Sequence, residues 1–251
     1  MIVGGMATMP SREVSFRRAL ASILPQVDRL FLFFDRFHVF PNVHHRKIVP
    51  LRSQEFGDLG CAGKFLGMLM SAPNVIYLGF DDDILYPPNY AQVMADHIQS
   101  LPEPGVVGLH GAWFKDSFKS YRRDRFTVHR SQSHDRITPA HMLGSDTFGC
   151  NTGVLRFDPR SWPHRNMVDL HLALECARRG LPRFVAPRPF QWVTGMEENQ
   201  PDSIWSGVKK NDEIQTVIAQ DLIRVDQAWG VYAPPMRTDA TNAVIGAARA
   251  S

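Results

Sequence analysis

The chain has 251 residues, 44% hydrophobic and 21% charged, with 28 Lys and Arg against 25 Asp and Glu for a formal charge of +3. That is an ordinary globular composition, long enough to bury about 75% of its unfolded surface, and its charge is too mild to point to nucleic acid as a partner. Its three cysteines, Cys61, Cys150 and Cys176, are scattered without a CxxC, which speaks against a disulfide framework or a zinc site and for a reducing, cytoplasmic setting.

The opening MIVGGMATMP lacks the basic start of a signal peptide, and no uncharged run approaches the roughly 18 residues of a membrane span. MIVGGMAT is small, apolar and partly β-branched and stops before Pro10, which predicts a buried strand feeding a loop. Ser11 predicts a helix cap. After it Phe16, Ala19, Leu20, Ile23 and Leu24 keep the spacing of an amphipathic helix of about 12 residues closed by Pro25. RLFLFFD predicts a second buried strand ending at Asp35. Ala62, Phe65, Leu66, Leu69 and Met70 repeat the helical spacing, and NVIYLGF supplies the next strand. Tyr90, Val93, Met94, His97, Ile98 and Leu101 form another helical face, followed by the strand GVVGLH.

This alternation over residues 1–110 predicts an α/β fold, a mixed and mainly parallel sheet flanked by helices, in one domain with two lobes. In such sheets ligands lie outside the carboxyl ends of the strands. Periodicity fails over residues 111–150, a long excursion or flap. Its stretch FKDSFKSYRRDRFTVHR sets six Lys and Arg, at 115, 119, 122, 123, 125 and 130, against two Asp. Regularity returns with a strand expected at 152–157, a helix near 168–179 closed by Gly180-Leu181-Pro182, and the strand RFVA. A last helix follows Asn211, with Ile214, Val217, Ile218, Leu222 and Val225 on one face, and residues 233–251 are expected to be a loosely held tail.

The feature that calls for chemistry is FDDDILYPPNY, three consecutive carboxylates after a buried apolar run. Were the strand to continue, Asp81 and Asp83 would share a face about 6 to 7 Å apart, repelling and raising each other's pKa. A divalent cation relieves that conflict, and hard oxygen ligands suit Mn2+ or Mg2+.

FDDDILYPPNY resembles the DxD region of family 2 glycosyltransferases of the GT-A (Rossmann-like) fold, and other stretches resemble that family in the same order. ATMPSREVSFRRALASILPQVDRLFLFFD is similar to its opening strand, loop and helix, which puts Thr8, Pro10 and Arg12 beside the donor and Asp35 at the nucleobase. GDLGCAGKFLGML is similar to its Gly-rich segment, which brings Lys64 to the base or diphosphate. NMVDLHLALECARRGLP resembles its later acidic motif, which makes Asp169 the general base. Two departures stand out: that motif carries Val168-Asp169 where Glu-Asp is usual, and the Gln-x-x-Arg-Trp element of processive synthases is absent.

The resemblance implies a metal-dependent glycosyltransferase moving a sugar from a nucleotide-diphosphate sugar, with UDP as the family's common nucleotide, to a glycan or lipid-linked acceptor with inversion. Polysaccharide biosynthesis is the context it suggests. Asp82 and Asp83 are the expected metal ligands, and Asp81 lies nearer the donor. Lys209 and Lys210, with Trp205 in SIWSGVKKNDEIQ, suit a lid over the diphosphate. His110, Asp146, Asn151 and Trp192 are the acceptor-side candidates. Residues 1–110 are the expected donor half and 111–232 the acceptor and catalytic half. The basic, aromatic stretch 113–130 suits an anionic acceptor or contact with the inner face of a membrane. The competing classes are a non-catalytic nucleotide- or glycan-binding protein and a GT-A-like nucleotidyltransferase.

Overall fold

The computed structural model describes residues 1–196 and 211–229. The expected lid residues Trp205, Lys209 and Lys210 and the tail 233–251 lie outside the described residues.

Strand β1 (Ile2–Thr8) leads through a 3-10 turn (Pro10–Arg12) into α1 (Glu13–Ile23). Ser11 lies inside that turn and Arg12 takes the N-cap position, because the Pro10 ring favours one tight turn before the helix. The chain continues with β2 (Arg29–Phe34), β3 (Ile48–Arg52) and the short α2 (Ser53–Phe56). The helix expected over 62–70 is instead a 3-10 segment (Gly60–Phe65) running into one α-helical turn, α3 (Leu66–Met70). Close packing on the sheet accounts for the difference. A Cβ at Gly63 would stand 2.1 Å from the Phe33 ring, and one at Gly5 would stand 1.9 Å from the Lys64 carbonyl oxygen, so this segment lies directly on β1 and β2.

Next come β4 (Ile76–Phe80), β5 (Ile84–Leu85), α4 (Tyr90–Gln99), β6 (Val106–Gly108), β7 (Gly111–Phe114) and β8 (Arg125–Val128). They are followed by β9 (Thr138–Pro139), β10 (Met142–Leu143), β11 (Gly149–Asn151), α5 (Val168–Ala177), β12 (Arg183–Val185), β13 (Thr194–Gly195) and α6 (Glu213–Trp229). The main sheet has eight strands in the order β3-β2-β1-β4-β11-β6-β12-β9. Strands β3, β2, β1 and β4 are parallel, as are β6 and β12, while β11 and β9 run antiparallel to their neighbours.

Along β2 the apolar run alternates between two cores. Leu30, Leu32 and Phe34 face the cluster built with α1 and α4, while Phe31 and Phe33 face the one built with Phe65, Tyr77 and α5. A strand buried on both faces reads as a continuous hydrophobic run, which is why RLFLFFD was legible. The excursion at 111–150 is more ordered than its sequence suggests: β7 and β8 form a hairpin that β10 extends. Its loop is fastened by Asp124, which accepts the Lys119 and Ser120 amides at 3.0 Å each, and by Asp212, which accepts the Arg122 amide at 2.8 Å. A third apolar cluster packs Phe114, Tyr121 and Met142 against Leu170, Ala173, Ile218 and Leu222 of α5 and α6. Beneath it Arg183 and Asp226 form a buried ion pair at 2.5 Å, tying α6 to β12.

Candidate active site

The parallel strands β1, β2 and β4 all end at one edge of the sheet, delivering Thr8, Asp35 and the acidic triplet to the same place. The triplet does not continue the strand. Strand β4 stops at Phe80 and residues 82–83 form a turn, so the alternation expected for Asp81 and Asp83 gives way to a loop. The Asp81 amide donates to the Tyr86 hydroxyl at 2.9 Å, which donates to the Asp146 carbonyl at 2.7 Å, fixing the turn against the neighbouring segment.

The three carboxylates are in different environments. Asp81 Oδ1 accepts the Lys64 ammonium at 2.5 Å, and Lys64 is buried. Burial alone would lower the Lys64 pKa, and the Asp81 carboxylate reverses this and raises it. Lys64, expected at the base or diphosphate, thus stands as the buried partner of Asp81 and lines the smaller of the two clefts at this turn. For Asp82, burial pushes the pKa up to about 7, offset in part by the Thr8 hydroxyl and reinforced by Asp83 and Asp81. The Asp83 pKa is pushed to about 6 by burial and by Asp81, against the pull of Arg130 and Arg12. Arg12 Nη1 lies 3.8 Å from the Asp83 carboxylate.

Two clefts meet at this turn. The larger, about 370 Å³, is lined by Thr8, Arg12, Asp35, Arg36, Arg165 and the acidic triplet, among others. The smaller, about 230 Å³, is lined by Lys64, Tyr121, Ser145, Asp169 and Gln215, and it shares Cys61, Asp81 and Asn166 with the first. At the far end of the larger cleft Asp35 Oδ2 accepts Arg165 Nη2 at 2.7 Å, and burial raises the Asp35 pKa to about 6 against the opposing charge of Arg36. In the smaller cleft Asp169, in the first turn of α5, accepts the Ser145 amide at 2.9 Å. Burial raises its pKa, Ser145 opposes that, and nearby Asp146 adds to it.

Thr8, Arg12, Asp35, Lys64, Asp81, Asp82, Asp83 and Asp169 are thus brought together, while other sequence candidates are placed elsewhere. Pro10 is exposed and shapes the turn after β1 without lining either cleft. Asp146 and His110 lie behind the acids and line neither cleft. Asp146 is held by Arg130 at 2.9 Å with His110 Nδ1 4.0 Å away. Its own burial favours the neutral acid, but Arg130 and His110 outweigh that and lower its pKa. Burial lowers the His110 pKa. Asn151 falls at the opposite end of the sheet, because β11 runs antiparallel and sets it across from Ile76, the first residue of β4. Trp192 packs against Tyr90, its ring tilted by 35° at a centroid distance of 5.5 Å, and lies on the core beside α4.

Sequence reasoning missed Arg36, Cys61, Arg165, Asn166 and Gln215, and reached Tyr121 and Arg130 only as members of the basic, aromatic stretch 113–130. Asn166 and Arg36 carry the one local signal, since both sit in the left-handed backbone region at φ 61° and 57°, a conformation rare for arginine.

Among the described residues no three His, Cys, Asp or Glu side chains converge as a closed metal cage. What the turn offers is Asp82 and Asp83, two part-buried carboxylates whose pKa values are raised first by burial and further by the neighbouring acids. An all-oxygen pair fits a hard divalent cation that completes its shell with water and phosphate oxygens.

By sequence the chain matches no family profile and no curated protein. By structure it is similar to a mannosyltransferase from Pyrobaculum calidifontis solved in complex with GDP-Man and Mn2+. The TM-score is 0.51 at 11% identity, covering 100% of this chain and 75% of that one. At that identity the likeness speaks for the fold, a mixed α/β domain with a large, mainly parallel sheet flanked by helices. Among the described residues no helix is long and apolar enough to cross a membrane.

Proposed function

We propose that the protein is a metal-dependent glycosyltransferase of the GT-A fold, similar to family 2, which moves a sugar from a nucleotide-diphosphate sugar to an acceptor hydroxyl with inversion. One observation carries this reading: a carboxylate-walled cleft and a second cleft lined by Asp169 meet at Asp81. Support comes from the likeness in fold to an enzyme solved with GDP-Man and Mn2+. Residues 1–110 supply most of the donor cleft, with Arg165 and Asn166 added from the acceptor and catalytic half, 111–232.

Asp82 and Asp83 would hold Mn2+ or Mg2+, and the ion would supply positive charge against the departing diphosphate. Thr8 and Arg12 line the diphosphate end of the donor cleft, and Asp35 lies at its base end. Lys64 neutralises Asp81 through their ion pair. Asp169 takes the proton of the acceptor hydroxyl as that oxygen bonds to the anomeric carbon and the bond to the diphosphate breaks. Burial makes Asp169 a stronger base than an exposed aspartate, and the Ser145 amide fixes its orientation. A single displacement with one base inverts the anomeric centre.

The acceptor is a glycan or a lipid-linked glycan. The exposed Lys119, Arg122 and Arg123 beside Tyr121 suit an anionic group on it, or a membrane that carries it. The test is release of nucleoside diphosphate from a panel of nucleotide sugars with Mn2+ and candidate acceptors, with the product anomer read by NMR. Inverted product from the wild type and none from Asp169→Asn supports the reading. Nucleotide binding without any transfer points instead to a binding module, and retained configuration removes the single-base mechanism.

A further inference from the structure

We propose that Arg130, held by Asp146 behind the acidic turn, is a positioning residue that sets how tightly Asp82 and Asp83 hold a divalent cation. This rests on the donor-site reading above and adds a residue that acts on the site from outside both clefts. Arg130 is the last of the six cations in the basic stretch 113–130, and the structure separates it from the others. Lys119, Arg122 and Arg123 are exposed, whereas the Arg130 side chain is only 19% exposed and turns inward to Asp146 Oδ2 at 2.9 Å. The other oxygen of Asp146 accepts the Thr147 hydroxyl at 3.1 Å. Among the described residues Asp146 is the only carboxylate within 4.0 Å of the guanidinium, and Arg130 Nε is buried without a partner.

Backbone ties fix this pair against the acidic turn from two sides. The Tyr86 hydroxyl donates to the Asp146 carbonyl at 2.7 Å and accepts the Asp81 amide at 2.9 Å. Opposite, Gly195 pairs with Ile84, the residue after Asp83, and the Met196 amide donates to the Asp83 carbonyl at 2.8 Å. Arg130 lies against that strand: a Cβ at Gly195 would stand 3.1 Å from Arg130 Nη2. A Cβ at Gly144 would stand 2.6 Å from Asp146 Oδ1, so glycine there makes room for the carboxylate. Arg188 Nη2 donates to the His129 carbonyl at 2.8 Å and anchors the turn that carries Arg130. Burial would lower the Arg130 pKa, and Asp146, Asp81 and Asp83 outweigh that and raise it.

A guanidinium placed between Asp146 and the turn has an effect of definite sign. Its charge opposes a divalent cation at Asp82 and Asp83, and Asp146 masks part of that charge. Without the Arg130 charge the turn is more negative and holds the cation more tightly. Without the Asp146 charge Arg130 is unmasked, and the cation is held less tightly. A pair that merely braces the turn behaves differently, because loss of either partner then weakens the site in the same direction. Arg130 thus leaves much of the hold on the cation to the donor's phosphates, the usual arrangement for Mg2+.

Mn2+ titration without nucleotide, followed by the EPR signal of the free ion at pH 8 and fixed ionic strength, tests this. At that pH His110, whose pKa is lowered by burial, is neutral and Arg130 is the charge in question. Arg130→Gln is expected to bind Mn2+ about three- to tenfold more tightly than the wild type, and Asp146→Asn about three- to tenfold more weakly. Arg130→Lys, which keeps the charge, should stay within about twofold of the wild type. Weaker or unchanged binding by Arg130→Gln, tighter binding by Asp146→Asn, or Arg130→Lys matching Arg130→Gln overturns the inference alone. Should Asp146→Asn fail to fold, the two Arg130 variants decide between them. No Mn2+ binding by the wild type, with or without UDP, overturns the donor-site reading, and this inference with it.

Discussion

Replacing Asp82 by Asn should stabilise the metal-free protein at neutral and higher pH while abolishing its response to Mn2+. In the folded chain this carboxyl keeps its proton to about pH 7, against an ordinary value of 3.8. Between those values the folded state binds more protons than the unfolded one, so stability falls as pH rises through the interval. The full gap corresponds to about 4 kcal/mol at about 1.4 kcal/mol per pH unit, and water access to a part-buried turn reduces this to about 2 kcal/mol. For a chain of this length that is a rise in Tm of about 5 °C. Thermal melts in EDTA should coincide for wild type and Asp82→Asn near pH 4 and diverge steadily toward pH 8, with the variant higher. Adding Mn2+ at about 100 times its Kd should then stabilise the wild type by about 2.7 kcal/mol and leave the variant unmoved. A variant equal or lower in Tm at pH 8 in EDTA would show that the buried, acid-flanked setting of Asp82 does not penalise its charge, and the physical case for a cation there would fail.

Four further outcomes are expected. Asp169→Asn should lower kcat by about 10²- to 10⁴-fold with nucleotide affinity unchanged by calorimetry. In the wild type the acid limb of kcat should lie above the ordinary aspartate range, activity rising with pH as this base ionises. Asp226→Ala leaves Arg183 buried without its carboxylate, so denaturant unfolding should show a loss of about 3 to 5 kcal/mol, whereas Arg183→Met with Asp226→Leu should lose far less. Charge reversal at Arg122 and Arg123 should raise acceptor KM, less so at high salt, with donor KM constant; unchanged acceptor kinetics would remove the basic loop from recognition.

Much of the donor half was legible because its strands are buried on both faces and its helices show one apolar stripe each, so RLFLFFD and NVIYLGF stand out against their flanks. Strand β3 was not, since Pro50 falls inside it; the strand tolerates proline because it is at the sheet edge, paired only with β2. The strand expected at 152–157 lies instead at Gly149–Asn151, inside a polar run whose pattern gives no period. Its position is dictated by pairing with β4 and β6 on either side, a constraint local sequence does not carry. The same holds at the site. Asp35, the acidic triplet and Asp169 mark the ends of recognisable elements, whereas Arg130 and Arg165 reach Asp146 and Asp35 across 16 and 130 residues of chain. Nothing near Arg165 in the sequence announces that contact.

The decisive titration is UDP into the protein with Mn2+, with EDTA, and into the Asp82→Ala/Asp83→Ala double variant. Binding with Mn2+ that disappears in EDTA and in the variant is the predicted result. Binding that persists unchanged without metal or without those two carboxylates, or no binding of any nucleotide, would contradict a donor site built on the acidic turn after β4.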